Sequence, residues 1–224
     1  MSWPCESKAA VASRFYAQQL TAFTVTRSDT STGHGFNVTR FFGDNKPVLS
    51  VRTANLGNGG LRSLLLDDDA SKGPLLAVEE SRFGIAGQQR WEAFRGGDMR
   101  GTDRLFVAVD KTRFFQMGNT VHVFLDGNSS GERVPDFGVH GSYLWGAMTV
   151  SRGGGDDQGD SVAQIRNGSS IWTKLLGLGE NKYEVLIKPD VDQAFPLALT
   201  VILDQMHSPP SYSVCRCYKN SRSN

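Results

Sequence analysis

One stretch near the end of the chain decides the fold: Ala194-Phe-Pro-Leu-Ala-Leu-Thr-Val-Ile-Leu203. These ten residues hold a single polar side chain, that of Thr200. A helix that is apolar on every face has to be surrounded by protein or by lipid. Ten helical residues rise only about 15 Å, about half of a bilayer core. The stretch therefore predicts a helix buried in protein rather than a membrane span, with a central strand as the alternative because Val201 and Ile202 are β-branched.

Capping residues set the expected bounds of this helix. If Asp192 is the N-cap, Pro196 occupies the fourth helical position and removes only the first intrahelical hydrogen bond. Because Pro209 and Pro210 forbid its continuation, we expect a regular helix from near Asp192 to Met206. Its core residues are predicted to be Phe195, Leu197, Leu199, Val201, Ile202 and Leu203.

Most of the remaining chain alternates short apolar stretches with turn residues. β-Branched and aromatic residues favour extended backbone, and the 25 glycines suit tight turns. Strands that recur about every 8–15 residues indicate a sandwich or a barrel. No long linker divides them, so we expect one all-β domain. The predicted strands are Leu20–Arg27, Gly35–Phe41, Lys46–Thr53, Leu61–Leu66, Gly73–Glu79, Trp91–Arg95, Arg104–Asp110, Thr120–Leu125, Phe137–Leu144, Ala147–Ser151 and Ser161–Arg166.

Composition narrows the class of protein and its compartment. The formal net charge is +1, which argues against a dedicated nucleic-acid binder. The three cysteines, Cys5, Cys215 and Cys217, lie near the two ends and form no disulfide framework. A cysteine-free body suits a reducing compartment, and no apolar segment typical of a signal peptide opens the sequence. We therefore expect a cytoplasmic protein.

The sequence carries none of the common catalytic motifs. There is no P-loop, no G-x-S-x-G elbow and no H-E-x-x-H pair, and the four histidines are scattered. We therefore expect a protein that is not an enzyme and that binds no cofactor and no metal. The close thiol pair Cys215-Arg-Cys217 offers two ligands where a closed zinc site needs four. Reversible acylation of the pair is the functional interpretation, and an unmodified tail is the simpler one.

A window of positive charge spans residues 82–113. It holds seven basic side chains against four acidic ones, a net charge of +3. Because side chains alternate across a strand, only some of these cations can share a face. The simpler interpretation is a mixed, solvated surface. The candidates for binding anionic lipid headgroups are Arg82, Arg90, Arg95, Arg104 and Arg113.

Three motifs resemble landmarks of the LURP-one-related family, in the expected order. They are Trp91-Glu-Ala-Phe-Arg-Gly96, Gly141-Ser-Tyr-Leu144 and the terminal Lys188-Pro-Asp-Val-Asp-Gln-Ala-Phe-Pro-Leu-Ala-Leu-Thr-Val-Ile-Leu-Asp-Gln205. The resemblance covers roughly Leu20 to Met206. It implies a tubby-like fold, mainly β, in which a closed antiparallel barrel of about twelve strands surrounds a central hydrophobic C-terminal helix. Residues 1–19 would form a loose leader, 20–206 the barrel domain and 207–224 a flexible tail.

The same resemblance shapes the functional expectation. The tubby-like fold is shared with the tubby C-terminal domain and the phospholipid scramblases, which bind phosphoinositides or act at membranes, although fold alone does not transfer activity. We expect a non-catalytic, monomeric binding or regulatory module of plant defence-related signalling, recognising membrane phosphoinositides while peripheral to the plasma membrane. The alternatives are a protein-interaction scaffold without lipid binding, or a nuclear, transcription-linked regulator. This chain departs from the family pattern at Asp190, where a glycine is expected, and at Pro196.

Overall fold

Strands dominate the structure, a computed structural model that describes residues 15–30, 33–43, 46–55, 61–67, 73–81, 88–98, 103–112, 118–142, 146–154, 160–168 and 182–207. Within these residues the chain forms twelve β-strands and then one long α-helix. The strands are β1 (Thr21–Thr30), β2 (Gly33–Arg40), β3 (Pro47–Asn55), β4 (Leu61–Asp67), β5 (Pro74–Ser81), β6 (Arg90–Arg95), β7 (Arg104–Asp110), β8 (Asn119–Leu125), β9 (Phe137–Ser142), β10 (Ala147–Arg152), β11 (Ser161–Asn167) and β12 (Lys182–Ile187), and the helix is α1 (Ala194–His207).

The twelve strands close into a single antiparallel barrel. Each strand pairs with its neighbours in the chain, and β1 pairs with both β2 and β12. Thr24, for example, lies opposite Thr39 on one side and Glu184 on the other. Closure removes the unpaired edges that an open sheet would present. The predicted barrel is confirmed, and the sandwich alternative is wrong.

Eleven of the twelve strands coincide with predicted ones, and β12 was not predicted. Its side chains alternate between buried and less buried positions, with Tyr183, Val185 and Ile187 inside. Leu186 faces outward and is 37% exposed. An apolar residue on the solvent face blurs the alternation on which strand prediction depends.

Helix α1 lies inside the barrel, as predicted, so the central-strand alternative is wrong. All of its residues except Gln205 and His207 are buried, including each predicted core residue. They form one apolar cluster with inward side chains of the strands. Phe195 packs edge-on against Phe106 of β7, with ring centroids 5.2 Å apart. It also packs against Phe137 of β9 in a tilted arrangement, with centroids 4.8 Å apart. The inner wall of the sheet thus takes the place of solvent around an all-apolar helix.

The start of α1 has the geometry that the capping argument requires. The Asp192 carboxylate accepts the backbone N–H of Ala194 at 3.0 Å, which identifies Asp192 as the N-cap. Pro196 has no N–H to offer, and the carbonyl of Asp192 instead accepts from Phe195 at 3.2 Å. Thr200, the one polar residue of the run, donates its hydroxyl to the Pro196 carbonyl at 2.8 Å. Asp192 and Thr200 are therefore buried with hydrogen-bond partners.

The segment before β1 is bonded to the segment before α1. Ala17 exchanges backbone hydrogen bonds with Val191 and Asp190, at 3.0 and 2.8 Å, and Gln193 donates to Phe15 at 2.9 Å. Asp190 has a φ of 61°, in the left-handed region that favours glycine, which explains why a glycine is expected there. Part of the predicted leader thus contacts the barrel end at which α1 begins. Residues 1–14 and 208–224 lie outside the described residues, and the domain boundaries remain predictions.

Candidate functional site

Three of the five arginines predicted to bind headgroups lie among the described residues. Arg90 and Arg95 are the first and last residues of β6, and Arg104 begins β7. Arg82 and Arg113 lie outside the described residues, as do Cys215 and Cys217. Arg95 is exposed, whereas Arg90 and Arg104 are partly buried.

Arg90 is held by carboxylates from two directions. Its Nη1 and Nη2 donate to Oε2 and Oε1 of Glu132 at 2.7 and 2.9 Å, a bidentate pair. Its Nε and Nη2 also donate to Oε1 of Glu92, both at 3.3 Å. The hydrogen bond to Glu132 raises the pKa of Arg90, and the same bond lowers the pKa of the Glu132 carboxyl.

Arg104 belongs to the same group of charges. Its guanidinium lies 3.7 Å from Glu92 and donates from Nε to Oδ1 of Asp126 at 3.4 Å. We call Arg90, Glu92, Arg104, Asp126 and Glu132 the outer ion cluster. Two arginines and three carboxylates give it a formal charge of −1. An anionic headgroup would have to displace carboxylates already bound there, so this cluster is poorly suited to hold one.

Glu132 reaches the cluster from the loop between β8 and β9, residues 126–136. The loop lies over a small apolar cluster of its own, formed by Val107, Val109 and Phe124 on the outer side of β7 and β8. Asp136 fixes the base of the loop by accepting from the Leu125 N–H at 2.8 Å. The pair between Glu132 and Arg90 therefore fastens the loop to β6.

Glu132→Gln is expected to lower the free energy of unfolding by about 0.5–1 kcal/mol at neutral pH, since exposed ion pairs contribute about that much. The pKa of Glu132 in the folded protein lies below its ordinary value of 4.5. The stability that the Glu132 carboxylate contributes is therefore complete above its pKa in the unfolded chain. That stability is lost as the pH falls through its pKa in the folded protein. Urea unfolding at neutral pH and at about pH 3 checks this. The same substitution at Glu184, on β12, serves as control, and a loss of equal size at both pH values would contradict the argument.

Polar side chains at the last turn of α1 bond to the barrel wall. Buried Asp204 accepts from the Tyr183 hydroxyl, and from Nη1 of Arg27 at 3.4 Å. Gln205 donates to the hydroxyls of Ser63 and Thr53 at 2.5 and 3.3 Å. We call Asp204, Gln205 and His207 the polar end of the helix.

His207 completes the polar end with both ring nitrogens. Its Nδ1 lies 2.8 Å from the Leu203 carbonyl, which can only accept, so Nδ1 carries the proton. Its Nε2 then accepts from the Asn119 amide at 2.7 Å. The roles of these residues were not predicted from the sequence. The sequence feature that could have indicated them is the polar pair Asp204-Gln205, directly after the apolar run that ends at Leu203.

The opposite barrel end, where α1 begins, has an exposed apolar surface. Phe42 is 85% exposed, Leu20 58% and Phe41 43%. The Phe41 N–H donates to the Ala22 carbonyl at 2.9 Å, which continues the β1–β2 ladder past the end of β2. Extending that register places Leu20 opposite Gly43. We call Leu20, Phe41 and Phe42 the aromatic tip. Phe41 was predicted to lie within a strand, but β2 ends at Arg40.

A cavity of about 610 Å³ lies beside the aromatic tip. It is bounded by the segment that begins at Phe15, by strands β1 to β3, by Gln193 directly before α1 and by Leu197 in the first turn of α1. Arg40 is the one charged side chain among the described residues that line it. We call it the mouth cavity.

Comparison with known proteins decides the family. The profile of the LURP-one-related family matches residues 21–204, from the start of β1 to the polar end of the helix. The chain belongs to the LURP-one-related family. Among its relatives in Arabidopsis thaliana, LURP-one-related 15 is 32% identical over 139 residues, and LURP-one-related 10 is 28% identical over 139. LURP-one-related 16 is 26% identical over 173 residues.

Coverage of these LURP-one-related proteins is partial. The alignments with LURP-one-related 15 and 10 take in 62% of this chain, and 60% and 68% of those proteins. The alignment with LURP-one-related 16 takes in 73% of this chain and 78% of that protein. The chain thus spans about three fifths of the length of LURP-one-related 15.

The quoted LURP-one-related landmarks have structural roles in this barrel. Trp91 is 1% exposed and belongs to the inner core. Gly141 has a φ of 140°, and a Cβ there would meet the Ala147 carbonyl oxygen at 2.3 Å, so the position requires glycine. Among the described residues, no helix is long and apolar enough to cross a membrane.

Proposed function

We propose that this LURP-one-related chain is a non-catalytic binding module that docks its aromatic tip on membranes carrying anionic phospholipid, phosphoinositides among them. The observation that carries the proposal is the exposure of Phe42, at 85%, beside the exposed ring of Phe41. Single exposed apolar residues are ordinary, but exposed apolar groups that adjoin one another mark contact surfaces.

The geometry of the tip supports insertion into a membrane interface. The rings of Phe41 and Phe42 pack edge-on, with centroids 4.9 Å apart, so they present one compact apolar unit. The barrel behind the tip is closed, and the Phe41 N–H is bonded to the Ala22 carbonyl. Part of the tip backbone is therefore ordered before binding, which lowers the conformational entropy lost on binding. Apolar side chains of this kind insert into the boundary between headgroups and acyl chains.

Charge beside the tip favours anionic lipid over neutral lipid. Arg40 directly precedes Phe41 and is exposed, and the segment 40–46 carries Arg40, Asp44 and Lys46, a formal charge of +1. Each cation near an anionic membrane surface contributes about 1 kcal/mol. The outer ion cluster, by contrast, has more carboxylates than arginines. We therefore place membrane contact at the tip rather than at Arg90 and Arg104.

Phe42→Ser is expected to weaken vesicle binding roughly tenfold to a hundredfold, because burying one large apolar side chain contributes about 1.5–3 kcal/mol. Co-sedimentation of the full chain with neutral vesicles and with phosphoinositide-containing vesicles measures this. Val134→Ser is the matched control, since Val134 is 63% exposed on the β8–β9 loop.

Each outcome of the vesicle experiment has a defined meaning. Equal binding of the wild-type chain to neutral and phosphoinositide vesicles would reject headgroup recognition. Undiminished binding of the Phe42→Ser variant would reject docking through the tip. Failure to bind any vesicle would leave the alternative in which the chain is a protein-interaction scaffold of plant defence signalling, with Phe42 seated in a partner protein.

A further inference from the structure

The accessible lining of the mouth cavity is more polar than apolar. Phe23, Leu49 and Leu197, all buried, supply its apolar part. Gln18 and Gln193 supply neutral hydrogen-bonding groups. Binding sites for small molecules are concave, and mouths of barrels are a common place for them. A lining with several polar groups suits a ligand that carries a polar or charged group.

The mouth cavity opens to solvent, and its size suits a small ligand. At about 30 Å³ for each molecule, about 610 Å³ would take roughly twenty waters. Buried structural waters occur singly or in small groups, each bonded to about three polar partners. A volume of this size lies within the roughly 300–1,000 Å³ typical of sites for small ligands.

The register of β2 directs Arg40 over this volume. Arg40 lies directly opposite Phe23, whose side chain is 3% exposed inside the barrel. Cross-strand partners in a pair project to the same face of the sheet. Because Arg40 is the last residue of β2, its side chain reaches the rim of the cavity instead of the core.

The lining of the mouth cavity differs in charge from the outer ion cluster. In the outer ion cluster, Arg90 is bound by two carboxylates. The described residues that line the mouth cavity include no carboxylate. A guanidinium beside an apolar wall recognises a carboxylate or phosphate through charge-assisted hydrogen bonds.

We propose that the mouth cavity binds one amphiphilic anion, a carboxylate or phosphate monoester on a short apolar chain. The anionic group binds at Arg40, with Gln18 and Gln193 as further donors. The apolar chain lies along Phe23, Leu49 and Leu197. The site takes the ligand as a single molecule from solution. An anionic lipid in a bilayer carries the same anionic group and apolar chain and is the other ligand source.

Titration of the full chain with four probes tests this assignment. Decanoate and decyl phosphate carry both features, whereas decanol lacks the charge and inorganic phosphate lacks the chain. We expect decanol to bind at least roughly tenfold more weakly than decanoate, since a charge-assisted hydrogen bond contributes about a factor of ten or more. Inorganic phosphate should also bind at least roughly tenfold more weakly, because it buries no apolar chain. The side-chain amide resonances of Gln18, Gln19 and Gln193 should shift with decanoate. Equal affinity for decanoate and decanol, or no binding of decanoate, would overturn the proposal.

Arg40→Gln is expected to weaken decanoate binding roughly tenfold and to leave decanol binding unchanged. Arg52→Gln is the matched control, because Arg52 is also exposed and lies on the adjacent strand, away from the cavity. Equal effects of the two substitutions would overturn the assignment of Arg40.

Vesicle binding separates this inference from membrane docking. Phe42 does not line the cavity, so Phe42→Ser should keep decanoate binding while it loses vesicles. A wild-type chain that binds decanoate but binds no vesicles would reject membrane docking and leave the cavity site standing. A wild-type chain that binds vesicles but neither decanoate nor decyl phosphate would reject the proposed ligand site in the mouth cavity and leave membrane docking standing. Competition between decanoate and phosphoinositide vesicles would identify the bilayer as the source.

Discussion

Replacing Leu199 with Asp is expected to leave the chain without a cooperatively folded barrel at room temperature. Leu199 is 0% exposed in the middle of α1. Losing a buried leucine side chain costs about 2–5 kcal/mol, and burying a polar group without a partner costs about 2–7 kcal/mol more. Small domains are stable by only about 5–15 kcal/mol, so the sum is comparable to the whole of the folding free energy. Ile202→Asp, also at 0% exposure, should behave in the same way.

Thermal and urea unfolding followed by circular dichroism measure this effect. Leu199→Met is the control, because it conserves volume and apolarity and should cost less than about 1.5 kcal/mol. A cooperative transition in the Leu199→Asp variant close to that of the wild type would mean that the helix is solvated by something other than the inner wall of the barrel.

The helix could be predicted from sequence because its constraint is local. Ten residues with one polar group need an apolar surrounding whatever the rest of the chain does. The N-cap at Asp192 and the position of Pro196 follow from the same short segment. Most strands were predictable for the same reason, since alternation is read within a few residues. Strand β12 was not, because Leu186 faces outward and breaks that alternation.

The candidate sites were harder to predict because their residues come from distant parts of the chain. Alternation indicates on which side of β6 Arg90 lies, but Glu132, its bidentate partner, is 42 residues away on a loop. The mouth cavity draws on the segment at Phe15, on strands β1 to β3 and on Gln193, a set that only the closed barrel brings together. The sequence located the cations of residues 82–113 but could not predict which of them carboxylates would engage.

The polar end of the helix illustrates how an apolar core acquires a unique arrangement. An all-apolar helix in an apolar barrel could slide or rotate at little cost, since apolar contacts are not directional. Asp204 bonds to β12 and β1 through Tyr183 and Arg27, and Gln205 bonds to β3 and β4. These bonds are directional, and they fix both the depth and the rotation of α1.

Asp204→Ala is accordingly expected to lower the free energy of unfolding by about 3–5 kcal/mol, because removing one partner of a buried ion pair leaves the other with an uncompensated cost. Asp204 is 1% exposed and the Arg27 side chain 17%. Asp204→Asn keeps an acceptor for the Tyr183 hydroxyl and should cost less. A double-mutant cycle with Tyr183→Phe should show a coupling of about 0.5–3 kcal/mol in urea unfolding, since the two side chains share one hydrogen bond. Strictly additive losses, or an Asp204→Ala variant as stable as the wild type, would show that apolar packing alone orients the helix.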